Sequence, residues 1–580
     1  MGTLTPSAVS GKNILFTSST SVFFTSDVGR ILIYGASRAV ITSFGASAGD
    51  TISPNPRVRA DILDVFPNTN PILAGLWFIR LSPQAALDAD KKEPVGARIT
   101  LVADKPTFRL IDVGKFILIH GGLVRINTVN SVTEVGGEIL SELQTTDANP
   151  PSAPAGSWTL EEPAWGAKYG YPRTGEFFQG RLFQAATFKQ PTTFWGSESG
   201  AFDRYGVGAR ADAAIDYTIA SRQLNRIEWL ADVETLLLGT SGAELAAKSG
   251  KSDEPLGGDI VPKVDKVTSQ GSAAIQPITI DGRNIFVARG QQKIFAQAYS
   301  FELDHIEAQE LTVFADHITN PKIRLGPVAF QKHPHRRLFY VRSDGVLLAL
   351  TYFPEEKVVG FARIVTQGTF EAVACIPQTT GKADQVWVVV RRIINGVTRR
   401  YIEIFEDAVD VAFTGRAWQS LQTDCAVTYK GVAITTLTGL GHLEGMLVDV
   451  VADGGYIGTK TVAGGIITLE EAATEIEVGL HYNSLGRTMR PAIPDQVIEG
   501  IPRSWDKLWL RLYETRGGRI NGEAIDYPAD PLGTMPLYTG DVAVTGMGWD
   551  TDGRVTIEQL LPYPMTVLAL FGTLSLGDND

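Results

Sequence analysis

Five two-strand patterns recur along the middle of the chain at near-constant spacing, and this recurrence restricts the fold more than any other feature. RLFQAATFKQPTTFWGSES starts at Arg181, LLLGTSGAELAAKS at Leu236, NIFVARGQQKIFAQAY at Asn284, RLFYVRSDGVLLALTYF at Arg337 and VWVVVRRIINGVTRRYIEIF at Val386. Successive starts lie 55, 48, 53 and 49 residues apart. Each pattern is two apolar-rich strands around a short turn, and Asp344-Gly345 and Asn395-Gly396 supply residues that tolerate positive φ in tight hairpins. A period of roughly 40 to 50 residues carrying a few short strands is the sequence sign of propeller blades. Blades packed face to face bury both faces of each sheet and leave only short edges. A pair of stacked sandwiches is the rival, but it does not require the spacing to resume in register beyond an insertion.

An insertion is what the next stretch suggests. LWLRLYETRGGRINGEAIDY begins at Leu508, 122 residues after Val386, and RVTIEQLLPYPMTVLALFGTLSL follows 46 residues later at Arg554. The surplus matches residues 421–494, which have their own turns at Asp453-Gly454-Gly455 and Gly464-Gly465 and alternating strands such as MLVDVV and EIEVGL. Towards the amino terminus, Asp27-Val28-Gly29-Arg30 leads into ILIYGASRAVITS, and 85 residues on Asp112-Val113-Gly114-Lys115 leads into FILIHGGLVRINTV. Both read as turn, strand, turn, strand, so two related β units are expected, with chance likeness of two hairpins as the bland alternative. TTDANPPSAPAGSW, residues 145–158, suits an extended connector. Helical periodicity is scarce; the best short candidates are residues 141–146 and 308–315. The expected organisation is mainly β: an amino-terminal platform over residues 1–160 and a β-propeller of roughly six or seven blades starting at residues 165–420. A small β domain is inserted at 421–494, and residues 495–580 complete the propeller.

Composition narrows the function. The chain has 580 residues, room for two to four ordinary domains, and 44% hydrophobic with 20% charged residues is a globular balance. Lys and Arg number 52 against 64 Asp and Glu, a formal charge of −12, so the overall field repels phosphate and a DNA clamp is not expected. Cys375 and Cys425 are too few for a disulfide framework or a zinc cluster. The amino terminus lacks a basic patch followed by an apolar stretch, so no secretory signal is expected. Met565 to Leu576 is shorter than the ~20 residues of a membrane-spanning helix and reads as a buried strand pair.

Chemistry-bearing motifs are sparse. Gly239-Thr240-Ser241-Gly242-Ala243 and Gly196-Ser197-Glu198-Ser199-Gly200 each miss one position of a nucleophile elbow. Neither a phosphate-binding loop nor a dinucleotide fingerprint is present. His333 and His335 sit among Lys332, Arg336 and Arg337, charges that repel a metal ion, so an exposed basic turn is the better reading. Glu161-Glu162 and Glu355-Glu356 are acidic doublets, and a glycosidase needs two carboxyls at ~5 to 10 Å, a distance sequence does not give. Arg391, Arg392, Arg399 and Arg400 flank the Asn395-Gly396 turn and are the candidates for a subunit or DNA contact; solvated edge charges fit the same spacing. No cofactor, metal or catalytic set is expected.

One stretch carries a resemblance. In YPRTGEFFQGRLFQAATFKQPTTFWGSESGAFDRY, the residues Tyr171, Pro172, Arg173, Phe177, Gln179, Arg181, Leu182, Phe183, Gln190, Pro191, Trp195, Ser197 and Gly200 form a signature. It resembles that of tail tube (nozzle) proteins of short-tailed bacteriophages, the podovirus tail tubular protein and packaged-DNA stabilisation family. The likeness extends through LTVFADHIT, VRSDGVLLALTYF, HLEGMLVDVVADG, VGLHYNSLGRTMRP and LPYPMTVLAL, with a departure at Gln184-Ala185-Ala186. The resemblance implies a non-enzymatic virion protein of the tail: a homohexameric ring below the adaptor and portal rings, meeting tail fibre, spike or needle proteins. Genomic double-stranded DNA would pass transiently through it, without membrane insertion. Acidic walls would let phosphates slide where basic ones would brake them. Read from its residues alone, the signature holds too many aromatics for an exposed hairpin. Tyr171, Phe177, Phe183, Phe188, Phe194 and Trp195 are expected between blades, with Arg181 held by a carboxylate. A propeller enzyme or lectin acting on surface polysaccharide is the rival function.

Overall fold

A computed structural model describes residues 3–577 apart from 25–26, 29, 35–36, 46–54, 63–65, 67–68, 73–76, 81–84, 121, 144–151, 156–157, 168, 207–210, 221–223, 252–253, 302–304, 379–382, 407–420, 494–499, 529–536 and 545–547. The chain is mainly β and divides into two compact units, residues 1–227 with 249–263, and residues 228–248 with 264–580.

The first unit opens with two six-stranded antiparallel sheets of identical strand order. In chain order the strands of one are Leu4–Pro6, Ile14–Ser18, Ile31–Tyr34, Ser37–Phe44, Arg57–Ile62 and Trp77–Arg80. Those of the other are Leu87–Ala89, Arg98–Ala103, Phe116–Ile119, Gly122–Val129, Glu134–Ser141 and Thr159–Glu161. In both, the spatial order is first, second, fifth, fourth, third, sixth. The repeated motif explains the match. Asp27 accepts a hydrogen bond from the backbone of Phe24 at 2.7 Å, and Asp112 one from Arg109 at 2.8 Å, 85 residues on. Ile41 N–H then donates to Arg30 O at 2.7 Å, and Ile126 N–H to Lys115 O at 2.8 Å. The two copies also cross-link: Arg30 binds Asp27 and donates to Thr107 O, while Arg109 reaches back to Asp27 at 3.2 Å. Asp27 and Asp112 are fully buried, so these pairs are internal struts, and burial followed by the nearby Arg109 pulls Arg30 down to about 10. Most of the expected connector at 145–158 lies outside the described residues; of the rest, Ser152, Pro154 and Ala155 are exposed, and two residues anchor it. Ala153 pairs with Leu87, and buried Trp158 donates to Ala85 O at 2.9 Å.

Five small antiparallel meanders follow, each with its strands in sequence order. The first lies in the first unit: Thr174–Phe178, Arg181–Ala185, Thr193–Gly196 and Ile215–Thr218. The second is Ile227–Asp232, Leu236–Thr240, Glu244–Lys248 and Lys263–Thr268. The third is Ile278–Ile280, Arg283–Val287, Ile294–Ser300 and His305–Glu310, and the fourth Ala329–Gln331, Arg337–Val341, Leu347–Phe353 and Val358–Ile364. The fifth has three described strands, Thr369–Ile376, Gln385–Ile394 and Val397–Ile404. All five recurrent patterns therefore form the two inner or adjacent strands of a meander. Within the second unit, strand alternation builds the stack. Phe286 and Phe295 of the third meander pack on Trp229 and Leu237 of the second, while Ile285, Val287 and Ile294 meet Leu338, Tyr340 and Leu348 of the fourth. Phe339, Val341 and Leu347 of the fourth in turn meet Val386, Val388 and Val390 of the fifth. Residues 308–315, a helix candidate, finish a strand at Glu310 and continue as turns; alternate exposure on the third meander overrides their local pattern.

Asp424–Leu437, Leu447–Ala452, Gly455–Thr461 and Ile467–Leu480 form a separate four-stranded sheet with its own core, including Leu440, Val448, Val450 and Val478. Beyond it the structure differs from expectation. Arg503–Thr515, expected to pair with the strand after it, pairs instead with Tyr538–Val544 and Thr566–Leu576. Ser484–Arg487, Thr556–Gln559, Arg519–Ile520 and Glu523–Ala524 form a second sheet, so the strands around Arg554 are no hairpin either. The two sheets share a core of Leu508, Leu510, Leu512, Ile520 and Val542. The spacing at Leu508 and Arg554 thus reflects a different small β fold in place of two further meanders, and Ser484–Arg487 belongs to it despite falling inside the expected insert.

Candidate functional site

Three places gather polar side chains, and the signature stretch is the first. Gln179 and Gly180, at φ +47° and +71°, make the tight turn that delivers Arg181 to the second strand of the first meander. Arg181 is buried, and among the described residues no carboxylate pairs with it. Its guanidinium fans out to backbone carbonyls: Nη1 to Ser197 O at 2.6 Å and Ala213 O at 2.7 Å, Nη2 to Ala211 O at 2.5 Å. A carboxylate would satisfy only one side of the fork, whereas three carbonyls from two loops use both ends. Ser197 Oγ accepts from Leu182 N–H and donates to Glu198 O, and Gln179 Oε1 accepts from Leu256 N–H. Phe183, Phe194 and Trp195 are buried as expected, while Tyr171, Phe177 and Phe188 are exposed, at 68%, 57% and 84%. Alternation points Phe177 to the outward face of its strand, while Tyr171 and Phe188 lie in irregular segments before the first strand and after the second. Pro172 and Arg173 lead into the first strand, Pro191 precedes the third, and Gly200 takes φ +73° in the turn after it.

The arginine cluster splits over two faces. Register pairs Arg391 with Arg400 and Arg392 with Arg399. Arg400 binds Glu371 at 2.6 Å, and Arg391 lies 3.8 Å from the same carboxylate. Arg392 is fully buried: it grips Glu403 with two bonds of 2.8 and 2.7 Å, donates to Thr366 Oγ1 at 2.6 Å and approaches Asp424 at 3.5 Å. It ties the fifth meander to the first strand of the inserted sheet and is not available to DNA or a subunit; Arg391, Arg399 and Arg400 remain exposed.

The third place is a cavity of about 520 Å³ lined by Gln367, Met446, Leu447, Asp449, Tyr456 and His481. Asp449, buried on its strand, accepts from Tyr456 OH at 2.9 Å and lies 2.6 Å from His481 Nδ1. His481 Nε2 lies 2.7 Å from Asn483 Oδ1. Burial and the bond to Asp449 push Tyr456 up to about 12. With both ring nitrogens of His481 occupied, neither is free to take a proton from a substrate. Sequence reading missed this trio, because Asp449 and His481 come together only through the pairing of Asp449 with Gly479 and no local spacing marks it.

The remaining motifs are structural. Thr240 caps the turn at Gly242 and Ala243, and a Cβ on Gly239 would meet the Trp229 ring at 2.0 Å, so this near-elbow is a packed hairpin. Asp384 accepts from Lys332 and His333 N–H at 2.8 and 3.0 Å, fixing the basic turn. Glu162 binds Lys115 at 3.0 Å, and Glu355 and Glu356 lie in an exposed turn. Burial pushes Cys375 up to about 11 and Cys425 up to about 12. Among the described residues no three His, Cys, Asp or Glu gather as metal ligands, and no helix is long and apolar enough to cross a membrane.

No protein-family model matches the chain, and no curated protein matches it. Solved structures that align include an auxiliary nutrient binding protein from Bacteroides thetaiotaomicron, 7% identical over 54% of this chain and 84% of that one, with a TM-score of 0.23. An exo-beta-1,3-galactanase from Phanerochaete chrysosporium aligns at 9% identity over 69% of this chain and 95% of that one, also with a TM-score of 0.23. Superpositions this loose carry no argument about what the chain does.

Proposed function

We propose that the chain is a structural protein of a phage tail, one of six copies whose meanders belong to β-propellers arranged as a nozzle for the genome. What supports this reading, beside the signature, is one sheet face that stays exposed among the described residues. The second, third and fourth meanders bury their apolar faces on the next in line. On the fifth, Ile393, Ile402 and Ile404 stay 66%, 75% and 44% exposed. On the same face Arg391 and Arg400, held by Glu371, stand between Ile393 and Ile402. Exposed isoleucines beside ion-paired arginines suit a partner surface, and a ring of identical subunits supplies one on each copy. Buried charges elsewhere serve as internal struts, which suits a wall under load. Light scattering on the purified full chain tests the reading: a sixfold species is expected, and Ile402→Glu should reduce it to monomers. A wild-type monomer with and without the adaptor protein would overturn it.

A second reading, a propeller-type polysaccharide-binding or glycan-degrading protein, is favoured by one feature. The outer face of the carboxy-terminal sheet carries exposed rings around an arginine–aspartate pair.

A further inference from the structure

The apolar run near the end of the chain does not form a buried strand pair. It is a single strand, Thr566–Leu576, pairing with Arg503–Thr515, and none of its residues is fully buried. The sheet it completes puts Leu508, Leu510, Leu512 and Val542 on the core side. Trp509, Arg511 and Tyr513 consequently stand on the other side, with Trp509 38% and Tyr513 42% exposed. Register sets Ala543 and Phe571 on either flank of Trp509, and Asp541 and Ala569 on either flank of Arg511. Arg511 holds Asp541 through two bonds, Nε to Oδ1 at 2.8 Å and Nη2 to Oδ2 at 2.9 Å, and its Cζ lies 5.3 Å from the centre of the Phe571 ring.

We propose that this face binds a neutral polysaccharide chain, with Trp509, Tyr513 and Phe571 as the apolar contacts and the Arg511–Asp541 pair as the polar one. Aromatic rings offer flat apolar area at low entropic cost, which suits the C–H faces of pyranose rings. The bidentate pair leaves Nη1 donors and carboxylate lone pairs side by side, the complement of two neighbouring hydroxyls. The charges of the pair cancel, so it offers no net attraction for phosphate, and Lys507 at the end of the same face adds a single positive charge, far short of the basic stripe nucleic acid needs. A second protein chain is the less fitting occupant, because the centres of protein interfaces are depleted of charged residues and here an ion pair sits at the centre. Alanine at 543 and 569 keeps the surface beside the rings low enough for a ligand to lie flat. The pair is already formed without ligand, so little ordering is left for binding.

The inference rests on the glycan-binding reading, and its test separates the two. The full-length chain is run in native gels containing laminarin, hydroxyethylcellulose, galactomannan or dextran, with Trp509→Ala, Arg511→Ala and Phe188→Ala, a surface change in the other compact unit, beside it. Near-ultraviolet circular dichroism checks that each variant is folded, and Arg511→Lys replaces Arg511→Ala if that one is not. Retardation of the wild type by at least one polysaccharide is expected. Trp509→Ala and Arg511→Ala should weaken it about tenfold, and Phe188→Ala should leave it unchanged. Retardation that the two face variants do not alter overturns the assigned face while leaving glycan binding in place. Absence of retardation in all four gels overturns both. A change of oligomeric state in the face variants, with no effect on retardation, overturns the proposal in favour of a second copy of the chain.

Discussion

At the scale of single residues, the protein's buried charges act as ties between segments that the sequence keeps apart. Arg181 is the clearest case, since it alone gathers the carbonyls of Ser197, Ala211 and Ala213. Arg181→Leu removes the donor to Ser197 O and Ala213 O, while Ala211 O keeps Gly258 N–H, so the first unit should lose about 2 kcal/mol, read as a lower urea midpoint. Glu477 gives a pH signature. It accepts from Thr423 Oγ1 and from the backbones of Gln422 and Thr423, yet desolvation outweighs these bonds and raises its pKa. A carboxyl whose folded pKa is raised favours the folded state below its unfolded value and loses that advantage as pH rises through the folded one. Stability of the inserted sheet should therefore fall as pH climbs above about 4.3, the ordinary glutamate value. Glu477→Gln, which keeps an acceptor and carries no charge, should flatten that slope in thermal melts across the pH range; an unchanged slope contradicts the assignment. The importance of Arg181 was legible in the sequence, but its partners were not. Carbonyl acceptors have no residue identity, so a buried arginine naturally reads as wanting a carboxylate.

At the scale of elements, period-two alternation and turn residues made the five meanders legible, because each inner hairpin carries its apolar residues and its Gly, Asp or Asn turn in one short stretch. The 85-residue repeat was legible for the same reason. Its Asp and following basic residue are local, and each copy closes the same backbone bonds. The carboxy-terminal strands were misread because their partners are remote. Arg503–Thr515 looks like half a hairpin, yet both its neighbours come from beyond residue 537. The inserted sheet lies between these cases: its first and last strands pair Asp424 with Leu480, so its ends are adjacent, roughly 5 Å apart across an antiparallel pair. Replacing residues 424–480 with a short glycine-serine linker should leave the remaining sheets folded. Extending the deletion to residue 494 removes Ser484–Arg487, a strand paired with Thr556–Gln559, and should cost the carboxy-terminal sheets their protection. Hydrogen exchange on Leu508–Leu512 distinguishes the two deletions, and equal protection in both would count against the pairing described.

For the whole molecule, the account joins a stack of small sheets to assembly with further copies of itself. The candidate DNA or subunit arginines are divided, with Arg392 spent inside the fold, so the proposed assembly is assigned to the exposed isoleucines of the fifth meander rather than to a basic patch. A sequence reveals which strands are apolar on both sides but not which of them lacks a neighbour, because that depends on how many sheets follow. The most direct measurement is electron microscopy of single particles of the purified full-length chain, alone and with the adaptor protein proposed as its partner. The account predicts sixfold rings with an open centre, lost on Ile402→Glu. Particles that remain single copies under both conditions, or rings that survive Ile402→Glu intact, would contradict it.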